Sequence, residues 1–222
     1  MFLEVKALLT PPEVERLRAI AGEAKFVDGR ISNPANQTKV NLQADMQTPL
    51  AAEASQIVLA ALARSREFRD FAFPKMVAPP MLTRYEPNMK YGAHYDAAYF
   101  GAANGQSLRS DLSATVFLNP PESYQGGELV VHQGASTSRF KLNPGDAIFY
   151  PSTTLHEVAP VTTGERLVAI TFIQSLMPDE AQRNMLYDLN EVAALEGLKM
   201  SWENRMRLEG VRANLLRRWS RP

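Results

Sequence analysis

The stretch from residue 75 to residue 175 constrains the fold of this 222-residue chain most, because its apolar runs are short and turn residues separate them. Runs of this length between Gly, Pro and Asn are typical of β-strands. Eight strands are predicted, over residues 81–85, 91–97, 112–118, 128–132, 138–142, 147–150, 156–161 and 166–174. Eight strands within about 95 residues, without intervening helices, favour a two-sheet barrel of the jelly-roll type over parallel βαβ units.

Helical patterns precede these strands. Residues 10–13, Thr-Pro-Pro-Glu, combine a hydroxyl N-cap, two first-turn prolines and a capping-box acid, and predict a helix that extends to about residue 24. A second helix is predicted from Pro49 to about residue 64. The other predictions here are a short strand over 2–9, a hairpin that turns at Asp28 and Gly29, a polar loop over 32–47 and a helical turn over 65–73.

Two further helical segments are predicted after residue 175, where apolar residues again follow a 3.6-residue period. The second segment carries a group of arginines at its end, Arg212, Arg217, Arg218 and Arg221. A basic amphipathic helix can bind a membrane surface or a partner, but cationic side chains also suit the C-terminal end of any helix. We favour packing on the barrel or self-association as a homo-oligomer.

These patterns together predict an α+β fold that is mainly β, and no internal repeat or low-complexity tract interrupts it. We expect a double-stranded β-helix (jelly-roll) core at residues 78–176. An N-terminal helical support region at residues 1–77 and a C-terminal helical extension at residues 177–222 complete the predicted organisation.

Composition argues against several classes of partner. The 24 basic side chains balance the 24 acidic ones, so no net field draws the chain to nucleic acid or to anionic lipid. Cysteine is absent, which excludes thiolate metal sites and disulfides and fits a reducing compartment. The sequence shows neither a basic leader nor a run of about 18 apolar residues. We therefore expect a cytoplasmic protein without a nucleic-acid partner or membrane insertion.

His94 and Asp96 are the first candidates for a chemical site. In an extended strand, residues two apart point to the same face, so their imidazole and carboxylate would converge. The chain has three histidines, so a third metal ligand would be His132 or His156. We favour His156, because strands distant in sequence can be neighbours in a jelly roll and no acid stands two residues from His132.

The His-x-Asp pair alone is weak evidence, since a given histidine has roughly a one in ten chance of an acid at a fixed offset in such a chain. With His156 it would form the two-histidine, one-carboxylate set of non-haem iron enzymes, which leaves positions open for substrate and oxygen. Catalytic zinc uses similar ligands, although the His-Glu-x-x-His pattern of zinc peptidases is absent.

Arg166 is a candidate anchor for a carboxylate, because a planar guanidinium can bind a carboxylate through two hydrogen bonds. A hairpin is predicted between His156 and Arg166, and a three-residue loop with left-handed Gly164 would put both side chains on one face. Their separation would be about 13 Å at ~3.3 Å per residue. A two-residue loop would place Arg166 on the other face, as a solvated charge.

The surrounding sequence supplies more specific motifs. They are His94-x-Asp96, Arg84-Tyr85, Asp-Leu-Ser-Ala-Thr-Val-Phe-Leu (111–118), Tyr-Gln-Gly-Gly-Glu-Leu (124–129), Pro-Gly-Asp (144–146), Tyr-Pro-Ser (150–152) and the stretch from Leu155 to Arg166. Together they resemble the iron- and 2-oxoglutarate-dependent dioxygenases, and among these the bacterial PKHD-type hydroxylases, relatives of the prolyl and lysyl hydroxylases. The resemblance covers nearly the whole chain and says little about the substrate.

The resemblance implies that His94, Asp96 and His156 bind Fe(II) and that Arg166 binds 2-oxoglutarate. Tyr85 resembles the tyrosine that hydrogen-bonds this co-substrate, and a core tyrosine is the alternative. Such an enzyme uses O2 to hydroxylate its substrate and releases succinate and CO2, with ascorbate as the expected reductant. The family's links to iron uptake suggest an iron chelate or its precursor as substrate, and a peptide or amino acid is the alternative.

Two other functions stay open on sequence grounds. A cupin-like metal-binding or sensor module without turnover would not need Arg166, and a hydrolytic zinc enzyme would use the same three ligands. Tyr95 stands where the family often has an apolar residue, and strand alternation would turn it away from the metal. The segment from Tyr99 to Arg109, rich in Gly, Ala and Asn, is either a lid over the site or an inert surface loop.

Overall fold

The helices begin where the sequence provides caps. The computed structural model describes residues 1–33, 36–101 and 107–221. At the first helix, the carboxylate of Glu13 accepts hydrogen bonds from the backbone and the hydroxyl of Thr10, which confirms the predicted capping box. The helices in the described ranges are α1 (Pro11–Glu23), α2 (Pro49–Arg64), α3 (Arg66–Ala72), α4 (Glu180–Glu196) and α5 (Trp202–Trp219).

The strands are short, as the spacing of turn residues predicts, and each of the eight predicted segments overlaps at least one of them. The described strands are β1 (Leu3–Val5), β2 (Phe26–Asp28), β3 (Lys39–Val40), β4 (Leu42–Ala44), β5 (Pro74–Val77), β6 (Met81–Tyr85), β7 (Lys90–His94), β8 (Tyr99–Gly101), β9 (Ser107–Arg109), β10 (Leu112–Phe117), β11 (Gln125–Gly126), β12 (Leu129–Gln133), β13 (Ser136–Phe140), β14 (Ala147–Pro151), β15 (His156–Val158), β16 (Val161–Thr163) and β17 (Arg166–Ser175).

Two antiparallel sheets dominate the arrangement. The larger has eight strands in the order β1-β14-β10-β17-β6-β4-β2, with β5 also paired to β17. The smaller has five strands in the order β13-β12-β15-β7-β3, and β11-β16 and β8-β9 form two-stranded pairs. Every strand pair in the described ranges is antiparallel, so the predicted α+β, mainly β class is confirmed.

The eight-stranded sheet is buried on both faces. One face packs Leu112, Ala114 and Val116 of β10 into the core that contains the buried residues of α1, α2 and α3. The opposite face meets the five-stranded sheet through a second cluster that includes Phe117 of β10 and Leu129 of β12. Because side chains alternate along a strand, β10 supplies both faces and all six of its residues are buried.

The region from residue 26 to residue 47 differs from its prediction. The hairpin predicted at Asp28 and Gly29 is wrong, because β2 pairs with β4 and a 3₁₀ helix over Gly29–Ser32 follows β2. The polar loop predicted over 32–47 is also wrong, since it contains β3 and β4. In β3 the polar Lys39 is buried whereas the apolar Val40 is exposed, and in β4 the polar Gln43 is buried beside Ala44. Burial in these two strands does not follow hydrophobicity, so the period-two pattern that predicts a strand is missing from the sequence.

The hairpin predicted between His156 and Arg166 is wrong as well. β15 pairs with β12 and β7 in the smaller sheet, whereas β17 pairs with β6 and β10 in the larger sheet. Gly164 has the predicted left-handed φ of 74°, but its turn connects β16, which pairs with β11, to β17 of the larger sheet. A Cβ at Gly164 would lie 2.3 Å from the carbonyl oxygen of Ser123, so a side chain does not fit there.

Of the two C-terminal helices, α4 packs on the supporting helix α3, and α5 packs on α4. Tyr187 of α4 meets Phe71 of α3 edge to face, with ring centroids 5.3 Å apart. The guanidinium of Arg212 in α5 donates to the side-chain oxygen of Asn190 in α4 at 2.6 Å. No residue of α5 is buried. Within the described ranges, no helix combines the length and the apolar character needed to cross a membrane.

Candidate metal centre

The pairing of β7 with β15 brings His94 and His156 together, although 62 positions separate them in the sequence. The two histidines stand opposite each other in the strand register. Asp96 lies two residues beyond the end of β7, and one donor atom from each of the three side chains lies within 4.8 Å of the others. Among the described residues these three form the one cluster of this kind.

The convergence of His94 and Asp96 does not come from an extended strand, as the sequence interpretation assumed. β7 ends at His94, and the chain leaves the sheet before Asp96. The carboxylate still reaches both imidazoles, with Oδ1 3.9 Å from Nε2 of His94 and Oδ2 3.6 Å from Nε2 of His156. The intervening Tyr95 is 62% exposed.

Backbone hydrogen bonds fix the orientation of both imidazoles. Nδ1 of His94 lies 2.8 Å from the carbonyl oxygen of Gly92, and Nδ1 of His156 lies 2.9 Å from that of Thr154. A carbonyl only accepts, so each neutral ring carries its proton on Nδ1 and presents the lone pair of Nε2 to the centre. This is the arrangement in which a histidine binds a metal.

The electrostatics of the centre keep His94 neutral. Burial, with the neighbouring His156 as a second cause, lowers the pKa of His94 to about 4. A neutral imidazole is the form that binds a metal ion, so His94 is ready to act as a ligand at neutral pH.

A chain of buried serines reaches the carboxylate of Asp96. The hydroxyl of Ser113 donates to Oδ2 of Asp96 at 2.5 Å, and it lies 2.7 Å from the hydroxyl of Ser152. The hydroxyl of Ser110 in turn lies 2.7 Å from that of Ser152. Since Ser113 uses its proton on Asp96, it must accept from Ser152, which accepts from Ser110. The chain therefore supplies a hydrogen bond that holds the carboxylate in place.

Arg166 is a buried cation in the eight-stranded sheet. It is 1% exposed, and its guanidinium lies over the rings of Tyr85 and Phe117, 4.9 and 5.8 Å from their centroids. No carboxylate among the described residues pairs with it, and its Nε has no hydrogen-bond partner. An unpaired buried charge is costly, so a ligand of opposite charge is the expected partner.

The Gly-Gly motif makes room for this arginine. Gly127 has a φ of 70°, and a Cβ there would lie 3.1 Å from Cδ of Arg166 and 2.9 Å from a methyl group of Val161. A side chain at this position would be strained and would also press on the Arg166 stem. The motif that the sequence offered as a family signature thus has a packing role beside the site.

Tyr85 stands opposite Arg166 in the register of β6 and β17. Its hydroxyl accepts a hydrogen bond of 2.9 Å from the side-chain amide of Asn41, so its own proton stays available to a further acceptor. Burial raises the pKa of Tyr85, which keeps the hydroxyl protonated. Tyr85 is 3% exposed and lines the same cavity as the histidines.

A cavity of about 470 Å³ connects these groups. The three clustered side chains, Tyr85 and Arg166 all line it. So do Lys39 and Gln43, which sequence reasoning missed because they lie in the segment predicted as loop.

Two other sequence candidates lie outside this group. His132 is apart from the cluster, with Nε2 3.6 Å from a carboxylate oxygen of Glu157. Of the segment considered as a lid, residues 102–106 lie outside the described residues. Its two ends are the paired strands β8 and β9 rather than irregular loop.

The donor set suits an iron ion. Two imidazole nitrogens and one carboxylate oxygen on one side of a centre are typical of non-haem Fe(II) sites, with the remaining positions open. Arg166 and Tyr85 present a cation and a hydroxyl proton to the same cavity, as recognition of a dicarboxylate requires. The residues present therefore fit both an Fe(II) ion and 2-oxoglutarate.

Known proteins resemble this chain in sequence and in fold. The 2OG-Fe(II) oxygenase superfamily matches residues 80–174. A PKHD-type hydroxylase from Sphingopyxis alaskensis is 54% identical and covers 96% of this chain and 97% of the relative, and one from Paracoccus denitrificans is 39% identical over 99% of both. A Pseudomonas putida prolyl-4-hydroxylase is 20% identical, with a TM-score of 0.55 over 78% of this chain and 92% of that one.

These similarities decide between functions that the three donors alone leave open. Relatives matched along nearly their whole length are hydroxylases, which agrees neither with a zinc hydrolase nor with a binding module without turnover. The resemblance inferred from sequence is confirmed. The chain belongs to the PKHD-type hydroxylases of the 2OG-Fe(II) oxygenase superfamily and is a 2-oxoglutarate-dependent dioxygenase, for which the family implies Fe(II), 2-oxoglutarate and O2.

Proposed function

We propose that His94, Asp96 and His156 hold the Fe(II) ion, that Arg166 binds the distal carboxylate of 2-oxoglutarate, and that Tyr85 donates a hydrogen bond to the same co-substrate. The enzyme then hydroxylates a small molecule or a peptide and releases succinate and CO2. The single observation that carries the proposal is an unpaired, buried guanidinium in the cavity onto which the three donors face.

The chain contributes binding, orientation and exclusion of water. Bound Fe(II) supplies the activation of O2, a chemistry that organic side chains lack. The carbonyls of Gly92 and Thr154 hold the imidazoles with Nε2 inward, and Ser113 orients the carboxylate of Asp96. Fixed donors need no rearrangement when the metal binds, so the geometry is set in advance.

Arg166 would set the direction of the co-substrate. Its guanidinium is buried beside the rings of Tyr85 and Phe117, and its planar shape suits a bidentate contact with a carboxylate. With one carboxylate bound there, the other end of the dicarboxylate is directed toward the metal. Tyr150, buried with its ring centroid 5.1 Å from that of His156, helps to keep water from this side of the centre.

Further parts of the proposal concern the surroundings of the enzyme. We infer that an iron chelate or its precursor, in connection with iron uptake or homeostasis, is one candidate substrate and a peptide or amino acid the other, that ascorbate is the reductant, and that the enzyme acts in the cytoplasm. The β8-β9 segment would act as a lid over the cavity, which Phe100 lines. We retain the expected division at residues 1–77, 78–176 and 177–222, with a double-stranded β-helix in the middle region.

Self-association through the C-terminal helices is also part of the proposal. The end of α4, the start of α5 and their connection expose apolar side chains, with Leu195 66%, Leu198 86% and Trp202 71% exposed. Burial of such a patch against a second copy would remove apolar area from water.

Succinate formation under ¹⁸O₂ tests the proposed chemistry. The purified protein with Fe(II), ascorbate and 2-oxoglutarate should release succinate that carries one ¹⁸O atom, and added metabolite fractions that contain the substrate should raise the rate. Arg166→Met should raise the KM for 2-oxoglutarate more than about tenfold, because a charge-assisted pair is lost. Arg139→Met, at an exposed arginine of β13, is the matched control. Equal KM values in the two variants would contradict the role of Arg166.

A further inference from the structure

The side chain of Lys39 is buried, although it lies on an edge strand from which it could have reached solvent. β3 has two residues on the edge of the five-stranded sheet, and it buries Lys39 to 4% exposure while Val40 is 44% exposed. Hydrophobicity alone would turn the strand the other way, since a buried ammonium costs more free energy than an exposed valine. A lysine that faces inward from an edge strand indicates that its charge has a function inside the protein.

The neighbours of Lys39 satisfy it only in part. Nζ donates to the hydroxyl of Ser32 at 2.6 Å and lies 5.2 Å from the ring centroid of Tyr91. That hydroxyl also accepts from the amide of Gln43 and donates to the carbonyl of Gly29, so it has no further capacity. No carboxylate of the described residues lies within 4.0 Å of Nζ. At least one ammonium proton therefore remains for a ligand.

Lys39 remains a cation in this setting. Burial lowers its pKa to about 8, while the more distant charges of Asp96 and Asp28 act in the opposite direction. At neutral pH most of the molecules therefore carry the ammonium form.

The position of Lys39 separates it from the co-substrate anchor. Arg166 belongs to the eight-stranded sheet, whereas Lys39 belongs to the five-stranded sheet, and both line the same cavity. The ring of Tyr91 stacks on the imidazole of His94 at a centroid distance of 3.5 Å. The ring of Tyr91 thus contacts both Lys39 and a proposed iron ligand, and the ammonium lines the cavity from the sheet that does not carry Arg166.

We propose that Lys39 binds a carboxylate group of the primary substrate, so that the enzyme acts on an acid. This inference rests on the proposed function, since it assumes that 2-oxoglutarate occupies Arg166. The rest of the substrate would be apolar, because Met46, Met81 and the stacked pair of Phe100 and Phe172 line the same cavity. The expected class is a monocarboxylic acid with an apolar or aromatic body.

Calorimetric titration of the anaerobic enzyme with Fe(II) and 2-oxoglutarate tests this proposal without turnover. The probes are three pairs of acid and amide: benzoate and benzamide, 3-phenylpropionate and 3-phenylpropionamide, and N-acetylphenylalanine and its amide. We expect the wild type to bind at least one acid about tenfold or more tightly than its amide, as a charge-assisted hydrogen bond implies. Lys39→Met should remove this preference and leave the affinity for the amide and for 2-oxoglutarate within twofold.

Three further variants make the result decisive. Lys39→Arg should keep the preference for the acid, and Lys39→Gln replaces Lys39→Met if the latter does not fold. Lys90→Met is the matched control, because Lys90 is exposed and stands opposite Val40 in the register of β3 and β7. It should behave as the wild type does.

Several outcomes would overturn the proposal. The proposal is wrong if the wild type binds acid and amide equally in all three pairs. It is also wrong if Lys39→Met and Lys39→Gln keep the full preference for the acid. Loss of 2-oxoglutarate binding in the Lys39 variants would assign Lys39 to the co-substrate instead. Failure of the wild type to form the visible Fe(II)-2-oxoglutarate complex would instead refute the proposed function, and the absorbance measured before each titration separates the two failures.

Discussion

The two faces of the eight-stranded sheet are equally buried but differ in chemistry. Toward the helices, β10 presents Leu112, Ala114 and Val116, which need only apolar neighbours. Toward the cavity, the same strand presents Ser113 and Thr115, which are 2% and 3% exposed. Because successive side chains alternate between the two faces, the six residues of β10 contribute both to the apolar core and to the cavity wall. The larger apolar cluster therefore lies on one face of the sheet, and the polar groups that line the cavity lie on the other.

The difference extends to how polar groups are satisfied. Buried polar atoms are normally paired within the protein, since an unpaired one costs free energy. The serines beside Asp96 follow this rule, but the cations of Arg166 and Lys39 face the cavity without a counter-ion among the described residues. A ligand of opposite charge would pair with these cations and so account for their burial. The buried cluster on the helix-backed face consists of apolar side chains.

Removal of a proposed iron ligand should have the largest effect and leave the fold intact. We expect Asp96→Ala to weaken Fe(II) binding by more than about a hundredfold, since loss of groups that merely orient ligands already costs 10- to 100-fold. Its free energy of unfolding in the absence of metal should fall by less than about 1 kcal/mol, because the carboxylate is not part of the apolar core. Fe(II) titration and urea unfolding measure the two quantities. Large losses of both Fe(II) affinity and unfolding free energy would show that the two faces of the sheet do not have separate roles.

Truncation on the opposite face should have the reverse effect. Phe149 of β14 is fully buried, and its ring centroid lies 5.0 Å from that of Phe68 in α3. Phe149→Ala should lower the free energy of unfolding by about 3–5 kcal/mol through lost burial and a cavity. At 10 °C the folded fraction should still bind Fe(II) and 2-oxoglutarate with wild-type affinity. A variant that keeps its stability would show that the helix-backed face is not the main source of it.

A smaller effect is expected along the serine chain. Ser113→Ala removes the hydrogen bond to Asp96 and should weaken Fe(II) binding by about tenfold. Ser152→Ala acts one step farther away and should have a smaller effect, and Ser110→Ala a smaller one still. Fe(II) titrations of the three variants give the order. Equal affinities throughout would show that Asp96 needs no support from these hydroxyls.

The smallest effect should come from a charge on the helix side. Hydrogen bonding from Arg64 is the main cause that lowers the pKa of Glu13 below its ordinary value of 4.5. A lowered pKa means stability that is present above pH 4.5 and lost as pH falls through the folded value. Glu13→Gln should therefore cost less than about 1 kcal/mol at pH 7, with the difference shrinking below pH 4.5. Urea unfolding at several pH values measures it, and a difference that grows on acidification would contradict the assignment.

Local patterns made much of the fold predictable. The capping box at Thr10, the proline start of α2 and the eight punctuated strands all depend on near neighbours in sequence, and all are present. The strands β3 and β4 were missed for a physical reason. They have two and three residues, their buried side chains include Lys39 and Gln43, and their partners are distant, so local hydrophobicity carries no signal of them.

The site was less accessible to local reasoning. Spacing predicted that His94 and Asp96 converge, but the strand ends at His94 and the convergence arises in the segment that follows. The meeting of His94 with His156 depends on the pairing of β7 with β15, which no local pattern encodes. Arg166 reaches the cavity from β17 of the eight-stranded sheet, whereas the predicted hairpin would have placed it in the same sheet as His156. Resemblance to a family supplied what spacing did not.

Absorption spectroscopy of the anaerobic protein with Fe(II) and 2-oxoglutarate tests the central claim most directly. The wild type and His132→Ala should develop the visible charge-transfer band of a chelated keto acid with one equivalent of Fe(II), since His132 lies outside the cluster. His156→Ala should develop no band at the same concentrations. A full band in His156→Ala, or its loss in His132→Ala, would show that the metal binds elsewhere.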